Sequence, residues 1–198
     1  VFDCPENVTI TNEVDIFGAP FIFEIPLVSD NCPGDVTVVQ TEGPASGTLL
    51  PVGTTTFSFE GTDEAGNVAM CSFDVTVVDD QNPVFTNCPS ELVIDLTPES
   101  CDSMVVFETP SAIDNCAVES VNQINGPSSG DLLGPGSYNV EFEATDEAGN
   151  SAICAFTIEI NDITPPVVNC PESFESCDLI VTLPLPEAID DCGEVTVN

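Results

Sequence analysis

Carboxylate and amide side chains recur in short motifs along this 198-residue chain, and their chemistry is that of cation binding. Thr-Asp-Glu-Ala-Gly-Asn occurs at 62–67 and again at 145–150. Asp-Asn-Cys occurs at 30–32 and 114–116, and Asp-Asp-Cys follows at 190–192. Calcium takes six to eight oxygen ligands from such side chains and from backbone carbonyls. The motifs therefore indicate repeated sites for a hard divalent cation.

The charge balance narrows the possible partners. The chain has 35 acidic residues and no Lys, Arg or His, which gives a net charge of −35. Nucleic acids and anionic membranes are both excluded as partners, because binding to either needs basic side chains. Catalysis is not expected either, since Ser and Cys have no basic residue to activate them. Divalent cations are the expected counterions.

Short strands are expected to carry these motifs. Strict alternation of apolar and polar residues precedes and follows each Thr-Asp-Glu-Ala-Gly-Asn motif, which predicts two strands joined by a hairpin. In the second repeat we predict strands at 92–96, 103–108, 117–124, 130–133, 137–145 and 151–160. The predicted fold class is all-β, with tandem immunoglobulin-like β-sandwiches arranged as an elongated rod. The predicted boundaries are 1–80, 81–162 and an incomplete third repeat, 163–198.

The same motifs resemble a known family. Cys-Pro at 4–5, 88–89 and 170–171, the Asp-x-Cys motifs, and Cys-x-Phe after the hairpins are together similar to the hyalin repeat. That resemblance implies an immunoglobulin-like extracellular module of adhesion proteins. Residues 78–85, Val-Asp-Asp-Gln-Asn-Pro-Val-Phe, also resemble the calcium-binding linker between cadherin repeats, and 161–166 is a looser version.

Three acidic segments should converge at one end of each sandwich, because its B–C and F–G loops share an end with the entering chain. We predict calcium ligands in the second repeat from Asp79, Asp80, Asn82, Asp114, Asp146 and Asn150. The matching residues in the third repeat are Asn161, Asp162 and Asp190, and those in the first are Asp30, Asp63 and Asn67. An alternative stays open: the Asp of each hairpin motif could simply cap its own turn.

Ten cysteines indicate disulfides and an oxidising compartment. Cys71 and Cys154 share the inward parity of Phe73 and Phe156, and the first strand should lie beside the last. We therefore predict Cys4–Cys71 and Cys88–Cys154. We also predict Cys101–Cys116 and Cys177–Cys192 from their equal spacing, although four cysteines allow three connectivities. Cys32 has no evident partner, and we expect Cys170 to find one outside the chain.

The predicted function is structural: a segment of an extracellular, calcium-stiffened surface fibre, stalk or adhesin. Its expected partners are calcium ions and neighbouring repeats or copies of itself. The alternative is a recognition module that binds a receptor or glycan through its end loops. The third repeat should be completed further along a longer protein or by strands of a neighbouring subunit, because a half-sandwich cannot bury a core.

Overall fold

All regular structure in the described part of the chain is β-strand, as predicted. A computed structural model describes residues 1–32, 34–98, 100–169, 187–190 and 192–193. No helix occurs in these ranges, and so no described segment is a helix able to cross a membrane. The strands are β1 (Val8–Thr11), β2 (Ala19–Phe21), β3 (Thr37–Glu42), β4 (Thr48–Leu50), β5 (Gly53–Thr62), β6 (Val68–Val78), β7 (Val84–Phe85), β8 (Glu91–Asp95), β9 (Ser103–Met104), β10 (Ala112–Ile113), β11 (Val118–Asn125), β12 (Leu132–Leu133), β13 (Gly136–Asp146), β14 (Ser151–Asn161), β15 (Val167–Asn169) and β16 (Glu187–Ile189).

The first of two compact units contains Val1–Val84 together with the loop regions Ala112–Ser120 and Ala144–Ala152. Its main sheet has the order β1-β6-β5-β3, and β2 pairs with β4. The alternating residues of β5 and β6 point inward against the β2–β4 pair, which makes a β-sandwich. The buried core consists of Ala19, Leu50, Phe57, Phe59, Cys71, Phe73, Val75 and Val77.

The second compact unit contains Phe85–Ser111, Val121–Glu143 and the described residues from Ile153 onward. Its main sheet has the order β11-β13-β14-β8, and β9 pairs with β12. The inward-facing residues of β13 and β14 again form most of the core. The core consists of Leu96, Val105, Val140, Phe142, Cys154, Phe156, Ile158 and Ile160. The same strand pattern therefore builds a second β-sandwich. β7 and β10 pair separately, as do β15 and β16.

The first strand of each main sheet lies parallel to the last. β1 pairs with β6, and β8 pairs with β14. This arrangement brings Cys4 to Cys71 and Cys88 to Cys154, with Cα–Cα distances of 5.6 and 5.7 Å. Both predicted bridges are therefore confirmed. Each is expected to contribute about 4 kcal/mol by restricting the unfolded chain.

The predicted pairing of Cys101 with Cys116 is wrong. Cys101 is bonded to Cys192, and Cys116 is a free thiol. The two cysteines of the prediction belong to different compact units, because the Cys116 loop packs with residues 1–84. The predicted Cys177–Cys192 bridge is also wrong, because Cys192 is bonded to Cys101. Cys32 is free and exposed, while Cys170 and Cys177 lie outside the described residues.

Candidate metal centre

Three acidic segments meet within the first compact unit. They are the linker after β6, the loop after β10 and the hairpin between β13 and β14, all of which belong to that unit. Carboxylate oxygens of Asp79 and Asp114 and the sulfur of Cys116 all lie within 4.8 Å of one another. We call these three residues the acidic cluster. The structure thus brings together one predicted ligand from the linker and one from the loop.

Asp79 is the buried member of the acidic cluster, with 8% of its surface exposed. Its Oδ1 accepts hydrogen bonds from Asn12 Nδ2 at 2.9 Å and from the Gln81 backbone N–H at 3.2 Å. Its Oδ2 is buried and has no hydrogen-bond partner. Burial raises the pKa of Asp79, but the surrounding donors outweigh it and hold that pKa below its usual value. The carboxylate is therefore charged at neutral pH, and one of its oxygens has no partner.

Asp114 and Cys116 form the other side of the acidic cluster. Asp114 Oδ1 accepts the Cys116 backbone N–H at 2.9 Å, which fixes the loop. Burial first, then a hydrogen bond to the Asp79 carboxylate, and then the charge of Asp79 raise the pKa of the Cys116 thiol to about 12. The thiol is therefore uncharged at neutral pH and is a poor ligand for a hard cation. This leaves the two carboxylates as the cation-attracting groups of the cluster.

Asp146 lies close by, but both of its carboxylate oxygens accept hydrogen bonds within its own hairpin. It is fully buried and accepts the Asn150 backbone N–H and the Asn150 Nδ2 group, each at 2.8 Å. The same Nδ2 group donates to the Asp79 backbone carbonyl at 3.2 Å. Asp63 and Asn67 repeat the hairpin bonds at 2.7 Å each. The capping alternative therefore describes both hairpins, and in the second one the cap also holds the linker.

The remaining predicted residues of this set lie at the surface. Asp80 and Asn82 are exposed and fall outside the acidic cluster. Asn82 lines an adjoining cavity together with Asp15, Gln81 and Asp114.

Two polar residues that sequence reasoning missed hold the linker in place. Asn12 is buried and donates to Asp79, and Gln81 Nε2 donates to Asn12 Oδ1 at 3.1 Å. Asn12 lies two residues after Ile10 of β1 and therefore faces inward as Ile10 does. A polar residue at such an inward position was the signal in the sequence that could have identified it.

The second unit contains a related arrangement. Asp190 Oδ1 accepts the Cys192 backbone N–H at 3.0 Å, as Asp114 does for Cys116. Asp162 Oδ1 accepts the Thr164 hydroxyl at 2.6 Å and its backbone N–H at 2.9 Å. The Thr164 side chain is the main cause that lowers the pKa of Asp162.

Asn161 is exposed and donates from Nδ2 to Asp95 Oδ1 at 3.1 Å. In the first repeat, Asp30, Asp63 and Asn67 line one cavity with Cys32. The Asn67 amide is the main cause that lowers the pKa of Asp63.

Replacing Asn12 with Ala should destabilise the first unit. The change removes a donor to the buried Asp79 carboxylate, and a hydrogen bond to a charged group is worth about 1.5–3 kcal/mol. Because the folded-state pKa of Asp79 is lowered, its stabilisation is present above the unfolded pKa of about 4 and is lost as pH falls. Urea unfolding at pH 7 and at pH 3 should show that Asn12→Ala loses more free energy of unfolding at pH 7. An equal loss at both pH values would contradict this role, and Asn139→Ala on exposed sheet surface is the control.

Comparison with known proteins places these features in a family. The HYR domain model matches residues 1–77 and 78–160. Hyalin of Strongylocentrotus purpuratus is 30% identical over 184 residues, covering 89% of this chain and 15% of the relative. Hyalin of Lytechinus variegatus is 31% identical over 167 residues, covering 82% and 31%. The chain therefore spans less than a third of the length of either.

More distant relatives include a sushi, von Willebrand factor type A, EGF and pentraxin domain-containing protein 1 of Rattus norvegicus. It is 28% identical over 157 residues, covering 79% of this chain and 4% of the relative. Among solved structures, Drosophila N-cadherin EC1-3 superposes with a TM-score of 0.44 at 17% identity, covering 83% of this chain and 66% of that one. With the family model matching both sequence repeats, the chain belongs to the HYR domain family and is an extracellular protein.

Proposed function

We propose that this chain is a structural repeat segment of an extracellular fibre, stalk or adhesin, and that calcium stiffens it. The observation that carries the proposal is the buried Asp79 Oδ2, which has no hydrogen-bond partner and belongs to a carboxylate within 4.8 Å of that of Asp114. No Lys, Arg or His exists anywhere in the chain to balance these charges. A divalent cation supplies the missing partner.

The repulsion between the two carboxylates of the acidic cluster supports a bound cation. Two unit charges within 4.8 Å of each other repel by about 3.5 kcal/mol or more at an effective dielectric constant of ~20. Asp79 is held in place by Asn12 and Gln81, and Asp114 by the Cys116 backbone N–H, so neither carboxylate is free to turn away. A cation bound by both carboxylates converts this repulsion into attraction.

The donor set fits calcium better than a thiophilic metal. Asp79 and Asp114 offer carboxylate oxygens, and the raised pKa of Cys116 keeps its thiol protonated. Calcium prefers all-oxygen coordination, whereas zinc prefers thiolate and imidazole. Asp79 and Asp114 would hold the ion, and Asn12, Gln81 and Asn150 would hold the linker around it. Bound calcium would fix the linker against the loop after β10.

A structural role accords with the chemistry of the cluster. Its groups are two charged carboxylates and a protonated thiol, with no His or Lys in the chain to act as a base. The proposed partners are therefore calcium ions together with neighbouring repeats or copies of the same chain.

Small-angle scattering tests whether calcium stiffens the chain. We expect chelation to broaden the distribution of interatomic distances and increase the radius of gyration, because the linker loses the ion that fixes it. Asp114→Asn, which keeps the Oδ1 acceptor for Cys116 but removes the charge, should give in calcium the curve that the wild type gives in chelator. Scattering that is the same with calcium and with chelator would count against stiffening. Glu143→Gln, on the outward face of β13, is the charge-matched control.

A further inference from the structure

The disulfide between Cys101 and Cys192 joins two positions that recur elsewhere in the chain. Cys192 ends the third Asp-x-Cys motif, and Cys116 ends the second. The bonded cysteine, Cys101, lies just before β9 in the repeat that precedes Cys192. The bond thus links one sequence repeat to the next.

Backbone hydrogen bonds identify the equivalent position in the first repeat. The Asn12 N–H donates to Val78 O at 3.0 Å, as the Leu96 N–H donates to Asn161 O at 2.8 Å. Four residues further on in each repeat, the Ile16 N–H bonds to Glu13 O at 3.0 Å, and the Ser100 N–H bonds to Thr97 O at 3.1 Å. Phe17 therefore occupies the position of Cys101.

The two Asp-x-Cys loops meet these equivalent segments in the same way. Cys192 Sγ lies 3.3 Å from Ser100 O, and the loop of Cys116 reaches Ile16 O through Asn115 Nδ2 at 3.5 Å. The Cys116 sulfur accepts from Asn12 Nδ2 at 3.7 Å. Phe17 is 51% exposed and lies outside the buried core. A small side chain at position 17 would therefore remove little from the sandwich.

We propose that the cysteine of an Asp-x-Cys motif is one half of a covalent link to the repeat before it, and that position 17 is the missing half opposite Cys116. In this chain the second unit carries the disulfide, whereas the equivalent contact in the first unit has a thiol, Phe17 and the acidic cluster. Reductant should therefore open this contact in the second unit, and chelator should loosen the equivalent contact in the first. Of these two expected effects, only that of the chelator rests on the proposed calcium site.

The test is to restore the missing half with Phe17→Cys. In a glutathione redox buffer the introduced thiol and Cys116 should lose two protons and two electrons to oxidised glutathione, which becomes two reduced molecules. Because the chain contains no Lys or Arg, the bond is mapped with a protease that cuts at Glu and Asp. We expect a peptide that joins position 17 to Cys116, and one fewer alkylated thiol than in the wild type, in which Cys116 is free.

Three controls make the result decisive. Phe17→Ser measures the loss of the ring, Phe17→Cys with Cys116→Ser removes the acceptor, and Ile16→Cys tests the register. Circular dichroism establishes that each variant is folded. The bond should form equally in calcium and in chelator, so a failed calcium site and a failed link give different results.

Two outcomes would overturn the proposal. One is a folded Phe17→Cys variant in which both thiols remain open to alkylation after oxidation. The other is a wild-type digest that joins Cys101 to Cys116 instead of to Cys192.

Discussion

Chelation of calcium is expected to lower the unfolding temperature of the first compact unit by roughly 10 °C or more. A ligand that binds only the native state contributes about 2.7 kcal/mol when its free concentration is ~100 times its Kd. For a domain of roughly 100 residues, 1 kcal/mol shifts the unfolding temperature by about 4–8 °C. Loss of the ion also restores the repulsion between Asp79 and Asp114, which lie side by side in the acidic cluster.

Differential scanning calorimetry in calcium, in magnesium and in chelator measures this shift. Magnesium should protect less, because it demands a smaller octahedral shell and keeps its own water. An unfolding temperature that is the same in all three buffers would show that the acidic cluster holds no stabilising ion. Repeating the scans in high monovalent salt separates specific binding from general screening of the charge of −35.

Replacing Asp146 with Ala should destabilise the chain by about 2–4 kcal/mol, far more than the same change at Asp63. Both residues accept the backbone and side-chain N–H groups of the Asn that ends their hairpin motif. Asp146 is fully buried, and its partner Asn150 also holds the Asp79 carbonyl. Removing it leaves the partly buried Asn150 backbone N–H without its acceptor, whereas water replaces the lost acceptor at the more open Asp63.

Urea unfolding of the two variants gives the comparison, with Glu143→Ala as a control on the same strand. Asp146→Ala should also weaken calcium binding, because the hairpin no longer fixes the linker. Equal losses of stability in the Asp146 and Asp63 variants would show that burial of the second hairpin adds nothing.

The strands and their core were readable from the sequence because period-two alternation is a local property. Every second residue of the four long strands is apolar, mostly Phe or Val, and these residues form most of the two cores. The four strands are β5, β6, β13 and β14. The stretch predicted as a strand at 103–108 is shorter in the structure, where β9 covers Ser103–Met104. The Phe107 N–H bonds to the Ser129 hydroxyl at 3.0 Å instead of to a neighbouring strand. Competition between a hydroxyl and a carbonyl acceptor leaves no trace in a hydrophobic pattern.

The candidate site was only partly predictable, because its partners come from segments distant in the chain. Asp79 and Asp114 were expected together, since loop order in the fold brings them to one end. The spacing of Cys101 and Cys116 suggested a bond within one repeat, but the Cys116 loop packs in the first compact unit and Cys101 in the second. Equal spacing carries no information about which unit a loop joins.

Calorimetric titration of calcium into the metal-free wild type and into Asp79→Asn tests whether Asp79 holds a calcium ion. The substitution keeps the shape of the side chain and the Oδ1 acceptor for Asn12, and it removes only the charge at the acidic cluster. The expected result is that the wild type binds calcium and that Asp79→Asn loses one binding site, while Glu143→Gln binds as the wild type does. A wild type that takes up no calcium, or an Asp79→Asn variant with the same number of sites and the same Kd, would contradict it.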